Sequence, residues 1–286
     1  MAATIWIDGE WHTKDTGKVS VFDHGLLYGD GVFEGIRVYA GKVFKLPEHL
    51  DRLYECAHAV LLTIPMPKAE FGAVIVEAVR RSGMQDAYLR PIVTRGPGDL
   101  GIDPRNCGRP TMIVIVDAIN IWPAERYDQG LSVVTAGTPI PHRESLSPRV
   151  KSLNYLCHAM AKMEANVAGA DEALMLDSSG HVAEGTGQNI FVVKQGVLRT
   201  PPRHAGILSG ITRGVVMELA VQAGHAVRED MLNRFDIYTA DEAFLTGSAS
   251  EIAPIRSYDG RTIGSGKAGP ITRDLMTRFR AYARAS

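Results

Sequence analysis

The sequence predicts an α+β protein with two domains, and three observations support this prediction. The chain has 286 residues, whereas one domain usually has about 150. Short strands bounded by glycines alternate with two amphipathic helices in the first part, and a strand meander lies among helices in the second. We expect a first domain over residues 1–118, a linker over residues 119–130 and a second domain over residues 131–286.

Two helices and several strands are predicted in the first part. Apolar residues at helical spacing predict helices over LPEHLDRLYECAHAVLL, with Pro47 near its start, and over KAEFGAVIVEAVRRSG, which Gly83 ends. Strands are expected over TIWIDG, KVSVFD, VFEGIRVYAG, AYLRPIVTR and TMIVIVDA. Periodicity is lost over residues 118–130, which contain Pro123 and Gly130, so the interdomain linker is placed there.

The second part opens with the strand LSVVTAG and continues with a helix after Lys151. Apolar residues recur at helical spacing behind this lysine, which predicts a buried helix face. These residues are Leu153, Leu156, Met160, Met163 and Val167. A meander over EALMLDSSGHVAEGTGQNIFVVKQGVL, a helix over ITRGVVMELAVQAG and a strand over DEAFLTG follow.

Composition and charge exclude several classes of function. The formal net charge is −1, whereas nucleic-acid and membrane-surface partners call for clustered positive charge. No apolar run is long enough to span a membrane, and no signal peptide is recognised. Three cysteines far apart in sequence favour a reducing cytoplasm. The histidines lack metal-ligand spacing and no serine lies in a GxSxG elbow, so we expect no metal site and no hydrolase.

Lys151, Glu184 and two turns together match the needs of pyridoxal phosphate. LSGITRG, residues 208–214, places backbone N–H groups at a helix start, which suits an anion, as does the turn in FLTGSASEI, residues 244–252. The lysine would form a Schiff base, the carboxylate would hold a proton on the pyridine nitrogen, and the turns would hold the phosphate.

Simpler interpretations remain open for each feature alone. Lys151 could be a surface lysine, Glu184 an exposed turn residue, and the two turns a helix cap and a strand-to-helix connection. A phosphate-binding module that uses both turns would leave Lys151 without a function.

The ordered blocks of the chain resemble the class IV pyridoxal-phosphate aminotransferases, and within them the branched-chain aminotransferases. The blocks are DHGLLYGDGVFEGIRVY, HLDRL, YLRPIVTRGPGDLG, KSLNYL, DEALMLDSSGHVAEGTGQNIF, SGITR and FLTGSASEIAPI. The resemblance implies a fold-type IV enzyme, with a small N-terminal α/β domain and a larger C-terminal domain around a strand-rich pseudo-barrel. The cofactor would lie between these domains.

The resemblance also implies roles for individual residues in cofactor binding. Lys151 would be the catalytic Schiff-base lysine, and Glu184 the partner of the pyridine nitrogen. Arg52, Ile211, Thr212 and Ser248 would bind the phosphate, Tyr155 the ring hydroxyl, and Leu208 would pack on the ring. Tyr155 follows Lys151 after three residues, whereas some family members have four. His204 stands where the family more often has short hydroxyl residues, and we expect it to be a solvated loop residue.

The block Tyr88-Leu89-Arg90 points to the branched-chain subfamily. Residues i and i+2 of a strand face the same side, so Tyr88 and Arg90 would point into one pocket. By resemblance, Tyr88 with the turn at Ser248-Ala249 would hold the α-carboxylate, and Arg90 the side-chain carboxylate of glutamate. Tyr28 and Phe33 would line the apolar side of the pocket. The loop over residues 96–103 would reach the site of a neighbouring subunit.

The expected activity is transamination between L-branched-chain amino acids and 2-oxoglutarate. We expect pyridoxal 5'-phosphate as the cofactor, amino acids and 2-oxo acids as partners, and a cytoplasmic homodimer or higher homo-oligomer. The alternatives within the family are a D-amino-acid aminotransferase and a lyase of the aminodeoxychorismate type.

Overall fold

A computed structural model describes residues 3–119 and 121–285, which form two compact units. The first unit comprises residues 3–119 and 150–154, and the second comprises residues 121–149 and 155–285. Residues 121–130, expected as a linker, thus belong to the second unit, because Trp122 is buried in its apolar core. Residues 1, 2, 120 and 286, which the expected domain ranges include, lie outside the described residues.

A seven-stranded antiparallel sheet forms the framework of the first unit, in the order β2-β1-β7-β6-β4-β5, with β3 paired to β6. Its strands are β1 (Thr4–Ile7), β2 (Glu10–His12), β3 (Gly31–Phe33), β4 (Ile36–Tyr39), β5 (Lys42–Val43), β6 (Ala87–Thr94) and β7 (Met112–Asp117). The helices are α1 (His24–Tyr28), α2 (Leu46–Ala59) and α3 (Lys68–Ser82).

Both helices expected in the first unit are confirmed. Leu50 and Leu53 of α2 and Phe71 and Ile75 of α3 are buried in one apolar core with the sheet. Gly83 ends α3 with a φ of 65°, a left-handed conformation that glycine adopts at little cost.

Two strand predictions in the first unit were wrong in detail. KVSVFD contains no strand: Val21 and Phe22 are exposed, and no strand among the described residues pairs with this segment. VFEGIRVYAG forms two strands, β3 and β4, interrupted at Glu34 and Gly35. A Cβ atom on Gly35 would lie 1.9 Å from the hydroxyl oxygen of Tyr88, so this position has no room for a side chain.

A nine-stranded sheet forms the framework of the second unit, in the order β10-β9-β8-β15-β14-β11-β12-β13, with β16 paired to β15. Its strands are β8 (Leu131–Thr135), β9 (Glu172–Leu176), β10 (Val182–Gly185), β11 (Asn189–Lys194), β12 (Val197–Thr200), β13 (Ala226–Glu229), β14 (Glu242–Gly247), β15 (Glu251–Tyr258) and β16 (Arg261–Thr262). The helices are α4 (Ala124–Gln129), α5 (Leu156–Val167), α6 (Ile211–Gln222), α7 (Arg234–Tyr238) and α8 (Pro270–Ala285). The expected α+β class, with a strand-rich second half, is confirmed.

The prediction of a buried apolar face behind Lys151 was wrong. Helix α5 begins at Leu156, five positions after Lys151, and its apolar stripe is exposed: Leu156 by 71% and Val167 by 91%. The buried face instead consists of His158, Ala161 and Ala165. The two alanines on the buried face let α5 approach β9 closely. The spacing of apolar residues in the sequence does not show which face of the helix is buried.

No helix among the described residues is long and apolar enough to cross a membrane.

Candidate active site

Lys151 lies on a short extended segment that pairs with β3 in the first unit. The backbone N–H of Phe33 donates to the carbonyl of Lys151 at 3.0 Å, and the N–H of Leu153 donates to Gly31 at 2.9 Å. The N–H of Lys151 also donates to the Sγ of Cys56 at 3.3 Å. These bonds fix the Lys151 backbone on both sides, so the segment positions its amine without being helical.

Aromatic and cationic side chains lie near the Lys151 amine in the first unit. Its Nζ lies 4.5 Å from the centre of the Phe33 ring, and the Arg90 guanidinium lies 4.6 Å from the same ring. Arg90 Nη2 donates to the Tyr88 hydroxyl at 3.3 Å, while the buried Arg90 Nε has no hydrogen-bond partner within residues 3–119 and 121–285. Lys151, Phe33, Tyr88 and Arg90 therefore share one neighbourhood that combines an apolar surface with a positive charge.

Arg52 is held by a buried carboxylate that the sequence prediction missed. Its Nε and Nη2 donate to the two carboxylate oxygens of Glu34, each at 2.7 Å, and His49 Nδ1 donates to the same carboxylate at 2.7 Å. Burial alone would raise the pKa of Glu34, but Arg52 and His49 outweigh burial and hold it at about 2. Glu34 is therefore ionised at neutral pH. Its position within the apolar run VFEGIR was the available signal, because a carboxylate in a buried strand needs a partner.

Tyr28 and the loop over residues 96–103 contact each other within the first unit. The Tyr28 hydroxyl donates to the carbonyl of Leu100, and His24 Nε2 lies 2.9 Å from the carbonyl oxygen of Asp99. Leu100 and Ile102 at the tip of the loop are 70% and 80% exposed.

Glu184 is buried in the second unit and joins two segments of the site. Its Oε2 accepts from the backbone N–H of Leu208 and from the side-chain amide of Asn189, both at 3.0 Å. Asn189 also donates to the carbonyl of Leu208 at 3.0 Å. Asn189, which the sequence prediction missed, thus fixes both Glu184 and Leu208. A polar side chain at the start of the apolar strand NIFVV was its signal.

Helix α6 begins directly after this network. Its N-cap residue is Gly210, which has no side chain to cap it, and the buried Thr212 lies in the first turn with Ile211. A Cβ atom on Gly210 would lie 2.0 Å from Asn189 Oδ1, so the close approach requires glycine. An uncapped helix start with a hydroxyl in its first turn can bind an anion.

The end of β14 and the turn that follows it carry two buried hydroxyls without partners among the described residues. Thr246 Oγ1 and Ser250 Oγ are fully buried, and neither has a hydrogen-bond partner in the part of the chain that the structure describes. Ser248 and Ala249, the residues selected from the sequence, are half-buried between them. Thr246 is also paired with Asn189 across β11 and β14. The second unit therefore brings Glu184, Leu208 and this turn together around Asn189.

Tyr155 is the N-cap residue of α5 and stacks on a histidine. The rings of Tyr155 and His158 are 4.3 Å apart and inclined by 18°. His204 is exposed and lies in a 3-10 turn over Arg203–Ala205.

Each unit separately carries side chains whose chemistry fits part of a phosphorylated pyridine aldehyde. Lys151 supplies a primary amine, Glu184 a buried carboxylate, and Thr246 and Ser250 supply buried hydroxyls that need hydrogen-bond partners. Arg52 supplies a guanidinium and α6 an uncapped N-terminus. Among the described residues, no cluster of three or more histidine, cysteine or carboxylate side chains could hold a metal ion.

Comparison with known proteins identifies the family. The amino-transferase class IV family model matches residues 31–258. A Methanocaldococcus jannaschii protein, provisionally named a branched-chain-amino-acid aminotransferase, is 51% identical over 96% of this chain and 95% of its own length. The chain therefore belongs to the class IV aminotransferases, which confirms the resemblance seen in the sequence.

Solved structures agree with this assignment. The Escherichia coli branched-chain amino acid aminotransferase has a TM-score of 0.96 and 33% identity, with 100% of this chain and 96% of that chain covered. A T.th. branched-chain amino acid aminotransferase with pyridoxamine 5'-phosphate has a TM-score of 0.95 and 36% identity, with 100% of this chain and 95% of that chain covered. The expected fold-type IV architecture is confirmed.

Proposed function

We propose that this chain is a pyridoxal-phosphate-dependent aminotransferase that moves the amino group of L-leucine, L-isoleucine or L-valine to 2-oxoglutarate. The observation that carries the proposal is the wall formed by Phe33, Tyr88 and Arg90 beside the Lys151 amine. An apolar surface suits a branched side chain, and a guanidinium suits the side-chain carboxylate of glutamate. The relatives' names, which state this activity, support the same conclusion.

Lys151 and Glu184 carry the proton chemistry. When bound, pyridoxal 5'-phosphate carries the amino group between substrates and delocalises the negative charge that develops at the substrate Cα. Lys151 links the cofactor at rest, and its Nζ accepts the proton from the substrate Cα and later returns a proton. Glu184 holds a proton on the ring nitrogen, and its hydrogen bonds with Asn189 and Leu208 N–H fix its orientation.

The other predicted cofactor contacts position the ring and its phosphate. In this proposal the phosphate is bound by Arg52, Ile211, Thr212 and Ser248. The buried hydroxyls of Thr246 and Ser250 lie beside Ser248 in the sequence and would supply further hydrogen bonds there. Tyr155 binds the ring hydroxyl, and Leu208 packs against the ring. The stacking of Tyr155 on His158 limits the rotation of the phenol ring.

The substrate pocket serves two different side chains in alternate half-reactions. Tyr28 and Phe33 provide the apolar surface for leucine, isoleucine or valine, and Arg90 binds glutamate. Tyr88 and the turn at Ser248-Ala249 hold the α-carboxylate that both substrates share. Arg90 remains over the Phe33 ring when the substrate is apolar, since this contact accommodates a cation without a carboxylate.

We further propose a cytoplasmic homo-oligomer in which the small domain, residues 1–118, presents the loop over residues 96–103 to a second copy. In this assignment residues 119–130 connect the two domains, with Trp122 packed on the second domain, which spans residues 131–286. The exposure of Leu100 and Ile102 supports the contact, because large apolar side chains at a loop tip favour burial against a partner. Three free cysteines are compatible with a reducing compartment.

A product assay tests the proposed function. The protein is incubated with pyridoxal 5'-phosphate, L-leucine and 2-oxoglutarate, and both products are separated by chromatography. We expect 4-methyl-2-oxopentanoate and L-glutamate in equal amounts. Turnover of D-alanine without turnover of L-leucine would instead identify a D-amino-acid aminotransferase, and pyruvate released from aminodeoxychorismate would identify a lyase.

A further inference from the structure

The cluster of Glu34, His49 and Arg52 has no assigned function in the chemistry above beyond the phosphate contact of Arg52. Glu34 and His49 are both fully buried, and the Arg52 side chain is only 12% exposed. Burying three charged or ionisable side chains together costs desolvation free energy unless hydrogen bonds and ion pairs among them compensate. Their geometry therefore indicates what they do for one another.

We infer that Glu34 and His49 are positioning residues that fix the Arg52 guanidinium in the orientation that recognises the cofactor phosphate. Glu34 binds Nε and Nη2 of Arg52 through separate oxygens, each at 2.7 Å. This fork-to-fork contact sets both the plane and the rotation of the guanidinium, which a single hydrogen bond would not do. The inference rests on the proposed contact between Arg52 and the phosphate.

His49 acts one step further away, through Glu34. Its Nδ1 lies 2.7 Å from Glu34 Oε2, and its buried Nε2 has no hydrogen-bond partner among the residues that the structure describes. An ionised carboxylate only accepts, so Nδ1 must carry the proton that it donates. Because burial lowers the pKa of His49, the ring is neutral and Nε2 is an unpaired acceptor. The contact with Glu34 is thus the only side-chain hydrogen bond that His49 makes among the described residues.

The ionised state of Glu34 also balances the charge of Arg52. The pKa of Glu34 at about 2 keeps its carboxylate charged throughout the physiological range. Replacing Glu34 by glutamine keeps the shape and one acceptor but removes the charge and one arm of the fork. Arg52 would then keep its own charge and lose its fixed orientation. The affinity for a ligand with a phosphate should therefore fall more than the affinity for the same ligand without the phosphate.

The test compares two ligands that differ only in the phosphate. Protein freed of cofactor is titrated with pyridoxal 5'-phosphate and with pyridoxal. The dissociation constant for pyridoxal divided by that for pyridoxal 5'-phosphate measures phosphate recognition. We expect Glu34→Gln to reduce this ratio about tenfold while the affinity for pyridoxal stays unchanged. His49→Phe should reduce it in the same direction by a smaller factor. Glu48→Gln on the same helix is the matched control, because Glu48 pairs with Lys45 at 2.9 Å on the surface.

A double-mutant cycle with Arg52→Lys shows whether Glu34 acts through Arg52. We expect Arg52→Lys alone to reduce the ratio, and Glu34→Gln to add little in the Arg52→Lys background. Far-UV circular dichroism establishes that each variant is folded. Glu34→Asp, which keeps the charge, should recover part of the phosphate recognition that Glu34→Gln loses.

Three results would overturn the inference, and they differ in what they say about Arg52. If Arg52→Lys lowers the ratio and Glu34→Gln does not, or if Glu34→Gln weakens both ligands equally, Glu34 does not position Arg52 for phosphate. If Arg52→Lys leaves the ratio unchanged, the proposed phosphate contact of Arg52 is itself wrong. The product assay still measures the transaminase activity independently in either case.

Discussion

Buried carboxylates fix the polar geometry of both units. Glu34, Glu184 and Glu242 are each less than 8% exposed, and each accepts hydrogen bonds from at least two other residues. A buried carboxylate without such partners would be strongly destabilising. At Glu184 a single oxygen, Oε2, accepts from both Leu208 and Asn189, which ties the carboxylate to the segment that precedes α6.

Glu184→Gln should retain the cofactor and lose about 10²-fold in the rate of transamination. The amide oxygen can accept from Leu208 and Asn189 as Oε2 does, so the local structure should persist. The amide cannot stabilise a proton on the ring nitrogen, so the transition state loses more electrostatic stabilisation than the ground state does. Single-turnover kinetics and cofactor content measure the two effects separately. Glu172→Gln, another buried glutamate of the second unit, is the control, and near wild-type turnover in Glu184→Gln would remove Glu184 from the mechanism.

Arg90→Ala should impair the half-reaction with 2-oxoglutarate far more than that with leucine. A lost charged contact with the side-chain carboxylate costs about 10²-fold, whereas leucine makes no such contact. Rates of the two half-reactions are measured separately from cofactor absorbance in single turnovers. Equal losses in both would mean that Arg90 binds the common α-carboxylate, which would favour a different subfamily.

A hydrogen-bonded cap joins the start of strand β14 to the start of helix α8. Glu242 at the start of β14 accepts from the N–H groups of Ile271 and Thr272, at 3.1 and 2.8 Å, and from the Thr272 hydroxyl at 2.6 Å. A strand carboxylate thus caps the start of α8. A Cβ atom on Gly269 would lie 2.0 Å from the Glu242 carboxyl carbon, so the close approach again depends on glycine.

Glu242→Ala should lower the free energy of unfolding by about 2 kcal/mol, because three donors at the start of α8 lose their acceptor. Urea denaturation monitored by circular dichroism measures this change. Asp274→Ala serves as the control, because Asp274 forms an exposed pair with Arg278 on the same helix and should cost less than about 1 kcal/mol. A cost for Glu242→Ala no larger than that of the control would show that the cap is not stabilising.

The sequence predicted local periodicity well and tertiary partners poorly. Helices α2 and α3 follow from their apolar spacing and from Gly83. The exposed stripe of α5 does not follow, because periodicity identifies an apolar face but not what covers it. KVSVFD has the composition of a strand but no strand to pair with. Propensity acts within a segment, whereas burial and strand pairing depend on residues far away along the chain.

The candidate site shows the same division. Lys151, Glu184, Tyr88 and Arg90 could be selected from their motifs, although their roles remain proposals. His49 and the two hydroxyls of Thr246 and Ser250 could not be selected, because their importance lies in the three-dimensional surroundings of their side chains. Asn189 offered a signal, a polar side chain at the start of NIFVV, but its partners Glu184 and Leu208 become visible only in the folded chain. Glu34 lies inside the motif VFEGIR, but its partner on α2 becomes visible only in the folded chain.

The whole molecule should lose stability in acid partly through Glu34. Its folded-state pKa, about 2, lies below the ordinary value of 4.5. A depressed pKa contributes stability that is present above pH 4.5 and is lost as the pH falls towards 2, on the order of 3 kcal/mol. Burial also lowers the pKa of His49, so stability begins to fall below about pH 6.5.

Glu34→Gln should therefore flatten the dependence of the unfolding free energy on pH below 4.5. Urea denaturation at a series of pH values measures the slope, with Glu55→Gln, at an exposed position of α2, as the control. If the slope of Glu34→Gln equals that of the unmodified protein, Glu34 does not carry this part of the acid sensitivity.

The central claim is that Lys151 and its neighbours process L-branched-chain amino acids on a bound pyridoxal phosphate. The most direct measurement is a titration of the cofactor-loaded protein with L-leucine, monitored by absorbance and repeated with D-alanine. We predict that L-leucine shifts the cofactor spectrum and that 2-oxoglutarate, added after leucine, restores it. Without leucine, 2-oxoglutarate should leave the spectrum unchanged, and D-alanine should have no effect. Lys151→Ala should show no such cycle. A shift with D-alanine and none with L-leucine, or a full cycle in Lys151→Ala, would contradict the claim.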